Sequence, residues 1–396
     1  MADLDTLIAS LAASVAALRH EIHAHPEPGY EEQETARRIL GQIKDLPHLR
    51  IRTGVAKTGI VATLNADKPG PCVALRAEMD CLPIHERTGL PYASKIPGRM
   101  HACGHDGHSS CLVGAAKVLA QLADTLPGRV KFIWQPAEEG GAGARAMCEE
   151  GVLDNPKVDA IFALHGWPYL DLGMVGVKAG PAMASTNPWS MTIHGTGAHA
   201  AYPHKGVDPI VAAAQVITAL QSIAARFTDP LDSVVVTVAQ FHAGSANNII
   251  PSSAELSGTI RTLKPETRAR VVELFEQVAT RSAAAFGARA EVRIQDGYPV
   301  CVNDAQAARH VEETARACLG PSRVAASMNP SMGGEDFAYY AERVPGAFWR
   351  LGVRAGDPAA QPTLHQDTYD FPDAAIPTAI RMHCELARRF LDRAGA

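Results

Sequence analysis

The feature that most constrains this chain is an alternation of helical and strand-like periods between Ser109 and Leu164. Helical spacing over Ser109–Leu122 is followed by the β-prone run Val130–Trp134, helical spacing over Ala142–Glu150 and the run Val158–Leu164. This order predicts a largely parallel sheet flanked by helices, because parallel neighbours need a crossover long enough to hold a helix. Upstream, a helical pattern from Leu4 to His25 stops at Pro26-Glu27-Pro28-Gly29, and Gly59–Leu64 and Cys72–Leu75 are short β-prone runs bounded by Gly and Pro.

The pattern changes at Pro181–Pro188, where small and polar residues suggest a crossing between domains. Strand Trp189–His194, helix Pro209–Arg226, strands Ser233–Phe241 and Ala254–Leu263, helix Thr267–Phe286 and strand Ala290–Ile294 then give the βαββαβ order of a ferredoxin-like domain. Helix Ala305–Cys318, strand Phe348–Val353 and helix Ala374–Arg393 can rejoin the first sheet. The expected organisation is therefore an α/β main domain in two parts, 1–185 and 299–396, interrupted by an α+β insertion at 186–298. A chain of 396 residues is long for one compact core, which agrees with two domains.

Charge narrows the function classes. The net charge is −5 and no Lys/Arg run forms a footprint for a phosphate backbone, so nucleic acid is not an expected partner. Met1-Ala2-Asp3-Leu4-Asp5 lacks the basic start and apolar core of a secretory signal, and no segment reads as long and apolar enough to span a bilayer. No membrane is expected, and the expected compartment is the cytoplasm. The eight Cys, at 72, 81, 103, 111, 148, 301, 318 and 384, form no CxxC pair and read mostly as small buried hydrophobes. Only Cys103 sits among polar residues suited to chemistry.

In an open α/β sheet, catalytic groups collect beyond the carboxyl ends of the strands. Several polar clusters fall there: Arg76-Ala77-Glu78-Met79-Asp80, Gln135-Pro136-Ala137-Glu138-Glu139-Gly140, His165-Gly166-Trp167, and Leu364-His365 after the last strand. Just ahead of a helix, Met100-His101-Ala102-Cys103-Gly104-His105-Asp106-Gly107-His108 places a thiol and an imidazole two residues apart, a donor set suited to borderline metals such as zinc. A cap or a packed core histidine is the alternative. Glu138-Glu139 read alone could be a solvated helix N-terminus; beside a metal, one carboxylate would bind the ion while its neighbour takes a proton from water.

These segments together resemble the M20-type metallopeptidases, and within them the amidohydrolase branch that contains hippurate hydrolases and auxin-conjugate hydrolases. The resemblance spans nearly the whole chain and also rests on His23-Ala24-His25-Pro26-Glu27, Gly197-Ala198-His199-Ala200, Asn248-Ile249-Ile250-Pro251, Gly258-Thr259-Ile260-Arg261 and Gly334-Glu335-Asp336-Phe337. It implies two divalent ions held by Cys103, His105, Glu139, His165 and His365, with Glu138 as general acid/base. The branch carries Arg76 where its relatives have a metal-binding His. Asp80 would orient a ligand imidazole, or simply cap a turn. The inserted domain would serve as lid and dimer surface of a homodimer, with His199 approaching the partner's site to stabilise an oxyanion, and Asn248 and Arg261 binding a substrate carboxylate.

The implied reaction is hydrolysis of an N-acyl amino acid, hippurate-like or N-acetyl, by an enzyme using zinc or manganese, with cobalt or nickel also admitted. Two other readings stay open: a dipeptidase or metallocarboxypeptidase of the same family, and a non-catalytic metal-binding protein on the same fold. Trp167, Met183, Phe337 and Tyr340 are candidate pocket walls by neighbourhood.

Overall fold

The computed structural model describes residues 3–394. Two compact units divide the chain: residues up to Gly180, Val302–Asn329 and everything from Asp336 form one, and Pro181–Cys301 with Pro330–Glu335 form the other. The second unit thus begins before residue 186 and ends after residue 298. The segment Pro330–Glu335 joins it from far along the sequence, where no local pattern marks a boundary.

The larger unit is built on seven strands: β1 (Leu49–Val55), β2 (Gly59–Leu64), β3 (Cys72–Glu78), β4 (Arg129–Gln135), β5 (Ala160–Asp171), β6 (Val175–Gly176) and, after the second unit, β7 (Gly346–Arg354). Their spatial order is β1-β2-β4-β3-β5-β7-β6. β4, β3, β5 and β7 are mutually parallel, while β1, β2 and β6 add antiparallel pairings at the two sides. Every residue of β3 is buried, as are the first eight of β7, because helices cover both faces of a parallel sheet. Helices Leu4–His23, His105–Gln121, Ala305–Leu319 and Ile376–Ala394 pack on one another and on the strands around Phe132, Trp134, Phe162 and Trp349.

Several elements depart from their expected positions. The helix predicted at Ser109–Leu122 starts four residues earlier, at His105, so the His-rich segment is its first turn rather than a loop ahead of it. β5 does not stop at Leu164 but runs on to Asp171. Helix Gln33–Ile43 and β1 carry no expectation at all, since β1 is an exposed edge strand rich in Arg and Thr.

The smaller unit is a four-stranded antiparallel sheet with two helices. Strands Asn187–His194, Val234–Ala243, Ser253–Thr262 and Arg289–Ile294 lie in the spatial order second, third, first, fourth, with helices Pro209–Ser222 and Pro265–Ala285 packed together. This is the expected βαββαβ arrangement. One expectation is corrected here. Pro209–Phe227 is long and apolar enough to cross a membrane by length and composition, because no charge interrupts it before Arg226. In the fold it is a surface helix, its buried stripe Ala212, Ala213, Val216 and Leu220 lying on the sheet and 28% of it buried.

A buried ionic cluster ties the first helix of the chain to the helix that starts at His105. Asp106 Oδ2 lies 2.9 Å from His23 Nδ1 and 3.5 Å from Arg19 Nη1, all three side chains being fully buried. Glu86 Oε1 lies 3.3 Å from the other His23 nitrogen. Burial works against the imidazolium, but Asp106 and Glu86 outweigh it and raise His23 to about 10. A folded-state value above the unfolded one, about 6.5, stabilises the fold fully below pH 6.5, and that contribution fades as pH rises toward 10. Urea unfolding of the wild type and His23→Gln at pH 6, 8 and 10 should therefore show a stability gap that narrows with rising pH; a gap constant over this range refutes the ion pair.

Candidate metal centre

Cys103 and His105 converge because Gly104 between them turns the chain. Gly104 has φ 86°, the left-handed region, and a Cβ there would lie 3.1 Å from the Tyr369 hydroxyl and 3.3 Å from the Phe371 ring. The helix begins at the next residue, so His105 projects from a fixed first turn while Cys103 stays on the loop before it. Both are almost fully buried. His105 Nδ1 lies 2.9 Å from the Asp80 carbonyl oxygen and 3.2 Å from Asp80 Oδ1, and as donor to these acceptors it leaves Nε2 with its lone pair exposed to the site. Among the described residues, that buried Nε2 has no hydrogen-bond partner.

Asp80 also organises the carboxylate pair. Its Oδ2 accepts the backbone N–H of Glu139 at 2.8 Å, so one buried side chain at the end of β3 fixes both the His105 ring and the turn after β4. Burial raises the Asp80 carboxyl, but His105 and the N–H groups of Glu139 and Glu138 outweigh it and hold it below its ordinary value. The turn is tightly folded: Ala137 and Ala142 are left-handed, and a Cβ on Gly143 would lie 1.7 Å from the Pro136 carbonyl oxygen. Glu138 is 6% exposed, and its carboxylate oxygen lies within 4.8 Å of donor atoms of His105 and Glu139.

His165 lies inside β5, just past Ala163 where pairing with β3 ends, and opposite Arg350 of β7. Its Nδ1 lies 2.8 Å from the Gly166 carbonyl oxygen, which assigns the proton to Nδ1 and turns the Nε2 lone pair toward Cys103 Sγ, 3.4 Å away. His365 is in the loop after β7 rather than at the strand end. Its backbone N–H donates to the Ala102 carbonyl at 2.8 Å, and its Nε2 lies 3.2 Å from Glu139 Oε1.

The donor atoms therefore fall into two groups that share Cys103: Cys103, His105 and His165 in one, Cys103, Glu139 and His365 in the other, each within 4.8 Å. Their electrostatics suit cations. Burial, with Glu139 and Glu138 alongside, pushes the Cys103 thiol well above its ordinary value. His105 rises to about 10, since Asp80, Glu78 and Glu139 outweigh its burial, and a cation held at Nε2 would take the place of that proton. Burial and the neighbouring His108 push His165 well below its ordinary value, toward the neutral imidazole. A divalent cation among these groups would release the thiol proton and meet the carboxylate charge, so the donor set fits a dinuclear centre.

The residues expected to touch substrate lie in the smaller unit. His199 pairs with Ile249, and Ala200 N–H donates to the Asn248 carbonyl at 3.0 Å, so His199 and Asn248 share one small hairpin. Arg261 is elsewhere. It lies eight residues beyond Ser253 on one strand, about 26 Å away at strand rise. Within one chain, Asn248 and Arg261 therefore lie too far apart to grip a single carboxylate. Arg261 is half-buried and makes no side-chain hydrogen bond or ion pair among the described residues; its Nη1 lies 3.1 Å from where a Cβ on Gly334 would stand. Phe337 and Tyr340, expected as pocket walls, are fully buried core residues, while Trp167 lies under the Arg350 guanidinium at 4.1 Å.

Sequence reasoning missed Glu78 and gave His108 no role. Their ligand atoms lie within 4.8 Å of one another and of His105's. Yet both His108 nitrogens are committed: Nδ1 lies 2.9 Å from Glu78 Oε2, and Nε2 accepts Gly166 N–H at 2.8 Å. The one signal available was spacing, since Glu78 and Asp80 are two residues apart and His105 and His108 three apart on a helix.

Residues 74–389 match peptidase family M20/M25/M40. The chain is 40% identical to N-acetyl-L-cysteine deacetylase of Bacillus subtilis (strain 168), covering 97% of this chain and 90% of that protein. It is 39% identical to IAA-amino acid hydrolase ILR1-like 4 of Arabidopsis thaliana, covering 94% and 85%. The fold superposes on a Bacillus subtilis crystal structure described as a dinuclear metal-binding peptidase of the M20 family, with TM-score 0.83, 37% identity and coverage of 97% and 99%. The chain belongs to peptidase family M20/M25/M40.

Proposed function

We propose that this protein is a metal-dependent amidohydrolase that splits N-acyl amino acids, N-acetyl or hippurate-like, into a carboxylic acid and a free amino acid. The observation that carries this is the buried carboxylate of Glu138 beside two donor groups that share Cys103. A metal store needs no such neighbour. The relatives named as a deacetylase and an amino-acid-conjugate hydrolase support the substrate class.

Two divalent ions would be held by Cys103, His105 and His165 and by Cys103, Glu139 and His365; when bound they supply Lewis acidity to the amide carbonyl and acidify water. The thiolate favours zinc, while the carboxylate and imidazoles also admit manganese, cobalt or nickel. Glu138 takes a proton from the attacking water and returns it to the leaving amine nitrogen. Arg261, a half-buried guanidinium without a carboxylate partner among the described residues, suits the free carboxylate of the amino acid. His199 donates a hydrogen bond to the carbonyl oxygen as negative charge grows there. The eight cysteines are all free thiols, which suits a reducing compartment, and we place the reaction in the cytoplasm.

The separation of His199 and Asn248 from Arg261 supports a homodimer in which the partner's His199 and the partner's Asn248 complete each site. So do the apolar residues left open on the smaller unit: Val211 on its surface helix is 49% exposed, and Phe241 on the outer strand 41%.

A metal-supplemented screen should show turnover of N-acetyl and N-benzoyl amino acids above that of free dipeptides, reversibly abolished by chelation. Preference for dipeptides would move the reading to a dipeptidase, and no turnover with two ions bound would leave a binding protein. Glu138→Gln should retain two ions per chain by elemental mass spectrometry while kcat falls at least about a hundredfold, the upper reach of a lost proton-transfer step being about 10⁴; near-normal kcat removes Glu138 as proton carrier. Mixing inactive His199→Ala with inactive Glu138→Gln should restore about a quarter of wild-type activity, since random pairing makes half the dimers hybrids with one complete site. Absence of any recovery after subunit exchange, with dimers verified by sedimentation, would show that His199 acts within its own chain.

A further inference from the structure

Arg76 lies on β3, and its side chain enters a buried network of hydrogen bonds. Its guanidinium is fully buried and engages three acceptors: a Glu78 carboxylate oxygen, Gln135 Oε1 at 2.7 Å and Asp336 Oδ1 at 2.8 Å. Two chains of hydrogen bonds lead out. Along the first, the other Glu78 oxygen pairs with His108 Nδ1 at 2.9 Å, and His108 Nε2 accepts the N–H of Gly166, the residue after His165, at 2.8 Å. Along the second, Asp336 accepts from Gln135 Nε2 at 2.8 and 2.9 Å and from Ala144 N–H at 2.9 Å, while its own N–H points to Glu138 Oε1 at 3.4 Å.

We propose that Arg76 is a positioning residue that holds the His165 ring and the Glu138 carboxylate in one rigid frame, through Glu78–His108–Gly166 on one side and Asp336 on the other. Stability alone is a poor explanation for it. A buried ion pair gains little over well-packed apolar residues of the same volume, because desolvation consumes most of the attraction. What the planar fork adds is direction: three donors at fixed angles reach three acceptors on different elements, β3 itself, the end of β4 and the segment at Asp336. A lysine ammonium carries the same charge but cannot reproduce those angles. His108, with both nitrogens committed, acts in the same frame and is not itself a ligand.

The inference rests on the proposed function only for the part that concerns Glu138; the part that concerns His165 is read from ion affinity alone. Arg76→Lys and His108→Gln would be prepared as full chains beside wild type, with folding checked by circular dichroism. Zinc affinity would be measured by competition with a chromogenic chelator, and kcat and KM on an N-acetyl amino acid with saturating metal. Arg76→Lys should weaken zinc binding about 10–100-fold and lower kcat by a similar factor with KM within about twofold, the range for lost supports of a metal site. His108→Gln should weaken zinc binding about tenfold. Wild-type affinity and kcat in folded Arg76→Lys overturn the proposal. Should Arg76→Lys not fold, His108→Gln decides alone, and unchanged zinc affinity overturns it. If wild type hydrolyses no N-acyl amino acid yet both variants lose zinc affinity, the proposed function falls while the frame around His165 stands.

Discussion

Parallel pairing of β4, β3, β5 and β7 is the constraint on which everything else depends. Parallel neighbours point their carboxyl ends the same way, so chain segments leaving four strands must emerge on one edge of the sheet. Asp80 follows β3, Glu138 and Glu139 follow β4, His165 lies in β5 past the end of its pairing with β3, and His365 is carried back by the loop after β7. None of these residues is near another in sequence except the two glutamates. Strand direction gathers the first four, and the loop after β7 returns His365 to them.

That gathering creates an electrostatic problem which explains the chemistry of the site. Glu78, Asp80, Glu138 and Glu139 crowd around His105, and burial prevents water from screening them. Asp80 and Glu78 find partners within the protein, Asp80 in hydrogen bonds from His105 and backbone N–H groups and Glu78 in the Arg76 guanidinium and a hydrogen bond from His108. Glu139 of the β4 turn pairs with His365 at 3.2 Å, and divalent ions at the donor cluster would meet the negative charge gathered beside Cys103.

The smaller unit separates in space residues that the motif reading groups together. His199, Asn248 and Arg261 belong to family segments and were expected as one substrate-binding set, yet a single strand runs between Arg261 and the hairpin that holds the other two. Its surface helix and outer strand present Val211 and Phe241 to solvent.

The sequence by itself determined the fold class and the βαββαβ insertion, and it singled out the Cys-Gly-His and Glu-Glu segments that the fold brings together, because hydrophobic period, Gly and Pro punctuation and residue spacing are local properties. It left illegible whatever depends on contacts between distant segments. The start of the helix at His105 is set by the left-handed Gly104 packed under Tyr369 and Phe371, and the inclusion of Pro330–Glu335 in the second unit by tertiary packing alone. The apolar length of Pro209–Phe227 was hidden by its Gln, Thr and Ser residues, and only the sheet beneath it shows it to be a surface helix. Arg76 and His108 were visible as letters in motifs, but their task was decided by the tertiary structure, since it depends on which acceptor each donor meets once β3, β4 and β5 lie side by side.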